Sequence, residues 1–227
     1  MSEKSASVRG QGLISRAFPT RVAARRKAGE GDTKKGSSKP DREGGSLKAA
    51  TLAGREYTLR QLHAGDVRLA DKFASFINSF AEEPEAMTSI KYRMTIEGER
   101  QYLKDTLFLM EAARRTFAVA ECAGSIVGLA HVELMQGRKE HVGEFGILVA
   151  RGHRGVGLGD AITAKVLADS TLLVPRPTIL RLSVFANNEI ATSLYRKHGF
   201  REVARIPEQF EFGESLVDEL IMMKSPA

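Results

Sequence analysis

Residues Glu144 to Leu167 read EFGILVARGHRGVGLGDAITAKVL, and their reading decides the rest of the chain. The stretch opens as a β-branched and aromatic run, crosses a cationic patch and three glycines at alternate positions, and closes with apolar residues at helical spacing. Strand, glycine loop and helix are predicted in that order. A turn of this kind aims unpaired backbone N–H groups and the positive end of a helix dipole at one point, where an anion is stabilised. Gly155, Gly157 and Gly159 carry no Cβ, so a bulky phosphate can reach the backbone, and Arg151, His153 and Arg154 add positive or polar groups beside it. A diphosphate is the expected guest.

Elimination narrows which diphosphate. A nucleoside triphosphate loop of the Walker type needs Lys and Ser or Thr after its last glycine, but Asp160 and Ala161 follow Gly159. A dinucleotide fingerprint needs a glycine where Asp160 stands, on the first strand of a βαβ unit, and this loop falls late in the chain. What remains is Arg154-x-x-Gly157-x-Gly159, which resembles the acyl-coenzyme A loop of the GNAT superfamily of N-acetyltransferases. Downstream, LSVFANNEIATSLYRKHGF from Leu182 to Phe200 resembles the superfamily's second block: a strand, asparagines at Asn187 and Asn188, a short helix carrying Tyr195, then Gly199-Phe200. The likeness spans roughly residues 55 to 224.

The chain has 227 residues, enough for one domain with a sizeable core and an additional segment. No apolar run approaches the ~18 residues of a membrane span, so a soluble, cytoplasmic protein is expected. Cys122 is the single cysteine, which excludes an intramolecular disulfide. The net charge of +6 is unevenly placed: residues 1–48 hold 12 Lys/Arg against 5 Asp/Glu, whereas the remainder holds 22 against 23. A near-neutral remainder argues against a nucleic-acid face on the folded part. Residues 1–48, rich in Gly, Ser, Lys and Arg without an apolar period, read as a disordered basic extension, with 49–227 as the folded domain. An organelle presequence within residues 1–30, or an arm for nucleic acid or another anionic surface, would have a similar composition.

Within the folded part, Tyr57 to Leu62 predicts a first strand. Gly65-Asp66 then opens a helix with Val67, Ala70, Phe73, Ala74 and Ile77 on one face. The acidic connection Glu82-Glu83-Pro84-Glu85, a surface loop or an attractor for a cationic amine, leads to Thr95, which caps a second helix from about Ile96 to Ala113. Thr116 to Ala123 and Ser125 to Met135 form a hairpin around Gly124. Four antiparallel strands, the glycine-loop helix, another strand, a helix and two final strands give a single α/β domain with a mixed, mostly antiparallel sheet flanked by helices, an order that also resembles the GNAT fold.

The resemblance implies acetyl-CoA as cosubstrate, no metal, and direct transfer of acetyl to a primary amine in a ternary complex. Acceptors in order of preference are a small amine or amino acid, then a protein lysine or N-terminus. It further implies that Arg154, Gly155, Val156, Gly157, Leu158 and Gly159 hold the diphosphate and that strand groups at Ile147 and Val149 hold the pantetheine arm. Asn187 supplies a donor and an acceptor to pantetheine amides, or only caps the helix. Tyr195 is the expected general acid, although a tyrosine packed in a core with a wet hydroxyl would give the same sequence. Glu144 is the expected base, ahead of His141 and His131, while a strand carboxylate paired with Arg or Lys is the structural alternative. Asp160 puts a carboxylate beside the diphosphate, and Arg151, Arg154 or Lys165 is expected to neutralise it. His198 reads as complementing a helix dipole. A homodimer through the final strands fits the family, and a non-catalytic acyl-CoA-binding regulatory module is the alternative function.

Overall fold

The computed structural model describes residues 48–225. The reading of the N-terminal 1–48 segment as a disordered extension therefore lies outside the described residues, save for Lys48, which opens a strand. Eight strands form one sheet: β1 Lys48–Leu52, β2 Arg55–Gln61, β3 Arg115–Cys122, β4 Ser125–Leu134, β5 Val142–Val149, β6 Ile179–Phe185, β7 Arg201–Phe212 and β8 Ser215–Lys224. Their order across the sheet is β1-β2-β3-β4-β5-β6-β8-β7, and β5 with β6 is its parallel pair. Four helices flank it: α1 Ala70–Ala81, α2 Ile96–Glu111, α3 Leu158–Asp169 and α4 Glu189–Lys197.

The expected α/β order stands, with one strand more than predicted. β1 pairs antiparallel with β2 around the turn Ala53-Gly54, the same dipeptide that joins β3 to β4 at Ala123-Gly124. The helix expected from Gly65 begins as a short 3-10 turn over Ala64–Leu69 before continuing as α1. Asp66 explains that turn: it is fully buried, takes a bidentate bond from Arg60 at 2.7 and 2.8 Å, and accepts from the His63 N–H at 2.9 Å. Thr95 caps α2 by accepting from the Gly98 N–H.

Period-two alternation sorts the strands between two cores. Ala118, Ala120, Phe145, Leu182 and Val184 face α3 and α4, where Leu158, Ile162, Val166 and Tyr195 meet them. Phe117, Val119 and Leu129 face α1 and α2, against Phe73, Ile77, Tyr102 and Leu103. The parallel pairing that joins β5 to β6 runs only from Val142 to Glu144 and from Ile179 to Arg181. Beyond those residues the two strands part, and both faces open into the gap.

Candidate active site

A cavity of about 400 Å³ occupies the gap. Phe145 to Val149 of β5 form one side and Ser183 to Phe185 of β6 the other, while α4 contributes Ala191, Leu194 and Tyr195. Arg154, Gly155 and Gly159 of the glycine loop close one end, where Arg154 lies over Phe80, and Glu85 to Ile90, apart from Ala86, of the α1–α2 connection complete the lining. The stretch that decided the sequence reading therefore forms one wall of the cavity and one of its ends.

The loop is shaped for an anion. Gly157 is the N-cap of α3 at φ 91°, a left-handed conformation that strains residues bearing a Cβ. Across Gly155 to Asp160 no backbone N–H has a backbone acceptor among the described residues, and the first helical pairing is Ala161 N–H to Gly157 O at 3.1 Å. A hairpin supports the loop from outside. Arg55 donates to the Gly152 carbonyl at 2.8 Å, the Tyr57 hydroxyl and His153 Nδ1 share a hydrogen bond at 3.0 Å, and Leu52 lies 3.8 Å from where a Cβ on Gly157 would stand.

The charges around the loop are wired differently from expectation. Arg154 is engaged elsewhere: its Nε donates to the Val149 carbonyl at 2.8 Å, its two terminal nitrogens grip Glu83 at 2.6 and 2.9 Å, and it lies over the Phe80 ring. Burial, reinforced by Arg55, lowers the pKa of His153, favouring the neutral ring. Asp160 is neutralised by neither Arg154 nor Lys165, which pairs with Asp169. Its partners come from the end of α4: Lys197 at 2.8 Å and His198 at 2.9 Å. Hydrogen bonding to Lys197 lowers the Asp160 pKa, with His198 adding to it against a burial cost. His198 thus complements a specific carboxylate on the neighbouring helix as well as a helix end.

Of the asparagines, Asn188 lines the cavity and caps α4 by accepting from the Ala191 N–H at 3.0 Å. Asn187 is exposed and is not among the lining residues. The capping distance to Ala191 distinguishes the two, since a side-chain cap serves the third residue after it. Ile147 and Val149 line the cavity, whereas Val156, Gly157 and Leu158 stand outside the lining, the last fully buried beneath the loop.

Tyr195 presents its ring to the cavity from the α3–α4 core, edge-on to Phe145 at 5.9 Å. Burial pushes its pKa well above the usual phenol range, so it remains a protonated donor. Glu144 stands at the last paired rung, opposite Glu133 on β4 and Arg181 on β6, and is not itself a lining residue. Burial raises its pKa; Glu133 and Glu219 push the same way, and Arg181 and Lys139 oppose them.

His131 does line the cavity. It stacks on Phe117 at 6.1 Å and lies so close over Gly146 that a Cβ there would sit 2.7 Å from its ring. Burial and then Arg115 lower its pKa to about 3. Behind it, Arg115 bridges to Glu133 and donates to Thr106 at 2.6 Å. Cys122, half-buried at the end of β3, is not a lining residue.

Among the described residues no cluster of three or more His, Cys, Asp or Glu could hold a metal ion, and no helix is long and apolar enough to cross a membrane. In fold, the chain is similar to an acetyltransferase of the GNAT family from Streptococcus pneumoniae, at 21% identity and TM-score 0.66, over 76% of this chain and 100% of that one. It is likewise similar to a Salmonella typhimurium protein solved with its cofactor acetyl-CoA, at 14% identity and TM-score 0.61, covering 75% and 94%. Spermidine N-acetyltransferase from Vibrio cholerae, solved with CoA and spermine, matches at 22% identity and TM-score 0.56, covering 75% and 95%. No curated protein matches by sequence. The sequence model of the acetyltransferase (GNAT) family matches residues 77–200, from the end of α1 through the glycine loop to Phe200, and the chain belongs to that family.

Proposed function

We propose that the protein transfers the acetyl group of acetyl-CoA to a primary amine, with both substrates bound together and no acyl-enzyme. The observation that carries this reading is the parting of β5 from β6 beside a cavity that ends at the glycine loop. A parted parallel pair leaves a strand edge without backbone partners, and such an edge suits the amides of a pantetheine arm. The unpaired N–H groups from Gly155 to Asp160 suit the diphosphate at the far end. The residues present therefore fit CoA, whose relatives in the Salmonella and Vibrio structures hold acetyl-CoA and CoA.

In this reading the amine nitrogen attacks the thioester carbonyl, a C–N bond forms, and the C–S bond breaks. Tyr195 donates a hydrogen bond to the departing sulfur and stabilises the developing thiolate, which takes its final proton from water. Its raised pKa keeps the donor protonated through the reaction, and its place against Phe145 orients the ring. The proton shed by the amine goes to Glu144 through an intervening water. Two carboxylates and burial make Glu144 a stronger base than an ordinary carboxylate, whereas His131, with a pKa of about 3, is the weaker acceptor. His131 serves instead as a neutral polar wall.

Calorimetric titration of the full chain with acetyl-CoA, coenzyme A and ATP, followed by thiol release in the presence of amines, tests the proposal. Micromolar binding of the first two and not of ATP, with amine-dependent thiol release that falls about tenfold or more in Tyr195→Phe and in Glu144→Gln, is expected. Equal turnover in both variants would remove the mechanism.

A further inference from the structure

The part of the cavity away from the glycine loop is chemically one-sided. Phe117 lines it from the α1–α2 side, Phe80 reaches it from beneath Arg154, and Phe185 and Phe210 line it from the other, stacked face to face at 3.9 Å. Thr88, Ser89, Tyr102 and His131 add uncharged polar groups. Among the described residues, Glu85 and Arg154 are the only Asp, Glu, Lys or Arg side chains in the lining. Arg154 is saturated by Glu83, by the Val149 carbonyl and by the face of Phe80. Glu82, at the start of the same acidic connection, pairs with Arg93, so the structure leaves Glu85 as the carboxylate of that loop with no ion-pair partner among the described residues. Buried Arg115 and half-buried Arg181 are not lining residues; Arg115 pairs with Glu133, and Arg181 stands opposite Glu144 in the strand register.

Such a wall presents no uncommitted cation to a substrate carboxylate. It offers ring and hydrocarbon surface to an apolar body, and one exposed carboxylate to draw in an ammonium ion. Resting on the acetyl-transfer reading, we propose that the acceptor is a primary monoamine with an aromatic or branched hydrocarbon body and no carboxylate. Amino acids are then excluded for want of a counter-ion, because a carboxylate taken from water without a partner is strongly disfavoured. Polyamines are excluded because their further ammonium groups would meet phenyl rings and a single acidic side chain.

The test is calorimetric titration of the full chain, saturated with coenzyme A, with 2-phenylethylamine, L-phenylalanine, spermidine and a short peptide with a free N-terminus. Phenylethylamine and phenylalanine differ by one carboxylate, and the amine is expected to bind at least about 30-fold more tightly. Glu85→Arg, a change at an exposed loop position that does not threaten folding, supplies the missing cation and is expected to narrow that ratio to about threefold. Phe210→Ala is expected to weaken the amine about tenfold. Equal or tighter binding of phenylalanine, spermidine or the peptide overturns the proposal, as does the absence of amine binding. Amine binding without thiol release from acetyl-CoA instead overturns the acetyl-transfer reading and leaves the acceptor class standing. Thiol release with spermidine but not phenylethylamine does the reverse.

Discussion

On one face of the sheet, Phe145, Leu158, Ile162, Val166 and Phe200 form an almost wholly apolar layer in which the Tyr195 hydroxyl is an exception. On the other, Tyr102, Leu103 and Phe117 share their layer with Arg115, Glu133, His131 and the fully buried Glu99, neither of whose carboxylate oxygens has a hydrogen-bond partner among the described residues. The first face holds the helix whose N-terminus and glycines bind the diphosphate in the proposed reading, so its side chains are free to pack. The second borders the connection from α1 to α2 and carries charge at the expense of stability. Anchoring a constant group needs backbone and packing; the buried charges lie on the face where the proposed acceptor end is shaped.

Disabling the first face should have the largest effect. Gly157→Glu places a side chain at φ 91° and a carboxylate among the N–H groups, and coenzyme A affinity measured by calorimetry is expected to fall about a thousandfold with the circular dichroism spectrum retained. Unchanged affinity would show that the loop is not the anion site.

The second face should reveal its cost in stability. Burial raises the Glu99 pKa from 4.5 to about 7, so the folded state keeps a proton that the unfolded chain releases. Stability is then lost as pH rises from about 4.5 to about 7 and is level above that, by up to about 3 kcal/mol from this group. Glu99→Gln should remove that pH dependence in urea denaturation at pH 5 and pH 8. A wild-type profile that rises across the same window would contradict the assignment.

Smaller effects sharpen the division between binding and chemistry. Tyr195→Phe should lower kcat about tenfold or more, roughly 1.4 kcal/mol or above, while leaving coenzyme A affinity within about twofold. Glu83→Gln releases Arg154 and the connection it ties down; the acceptor KM should rise about fivefold with kcat retained, since the loop orders the wall and not the reacting atoms. A fall in kcat alone would place Arg154 in the chemistry. Cys122→Ser should change neither quantity, because the proposed direct transfer involves no acyl-enzyme.

Much of the fold could be read in one dimension. Val142 to Val149 announces a strand by composition, and Phe73, Ala74 and Ile77 mark a buried helix face by spacing. β1 carries a local signal too, the Ala53-Gly54 turn that repeats at Ala123-Gly124, although it adjoins a polar basic segment. Asn187 and Asn188 could have been separated by counting three residues to Ala191. His131 carried no local sign, since its place above Gly146 depends on the register of β4 against β5.

By itself the sequence determined the local chemistry: the glycine loop, the cap at Thr95, the alternation of the strands, and Tyr195 one helical turn beyond Ala191. Those features depend on neighbours within a few residues, where φ, ψ and helical or strand periodicity leave few choices. Only the tertiary structure decided which charges meet. Arg154 turns to Glu83, Asp160 to Lys197 and His198, and Glu85 is left facing the cavity. A flexible charged side chain pairs with whatever the fold brings within ~4 Å, and nothing in its own sequence window specifies that partner.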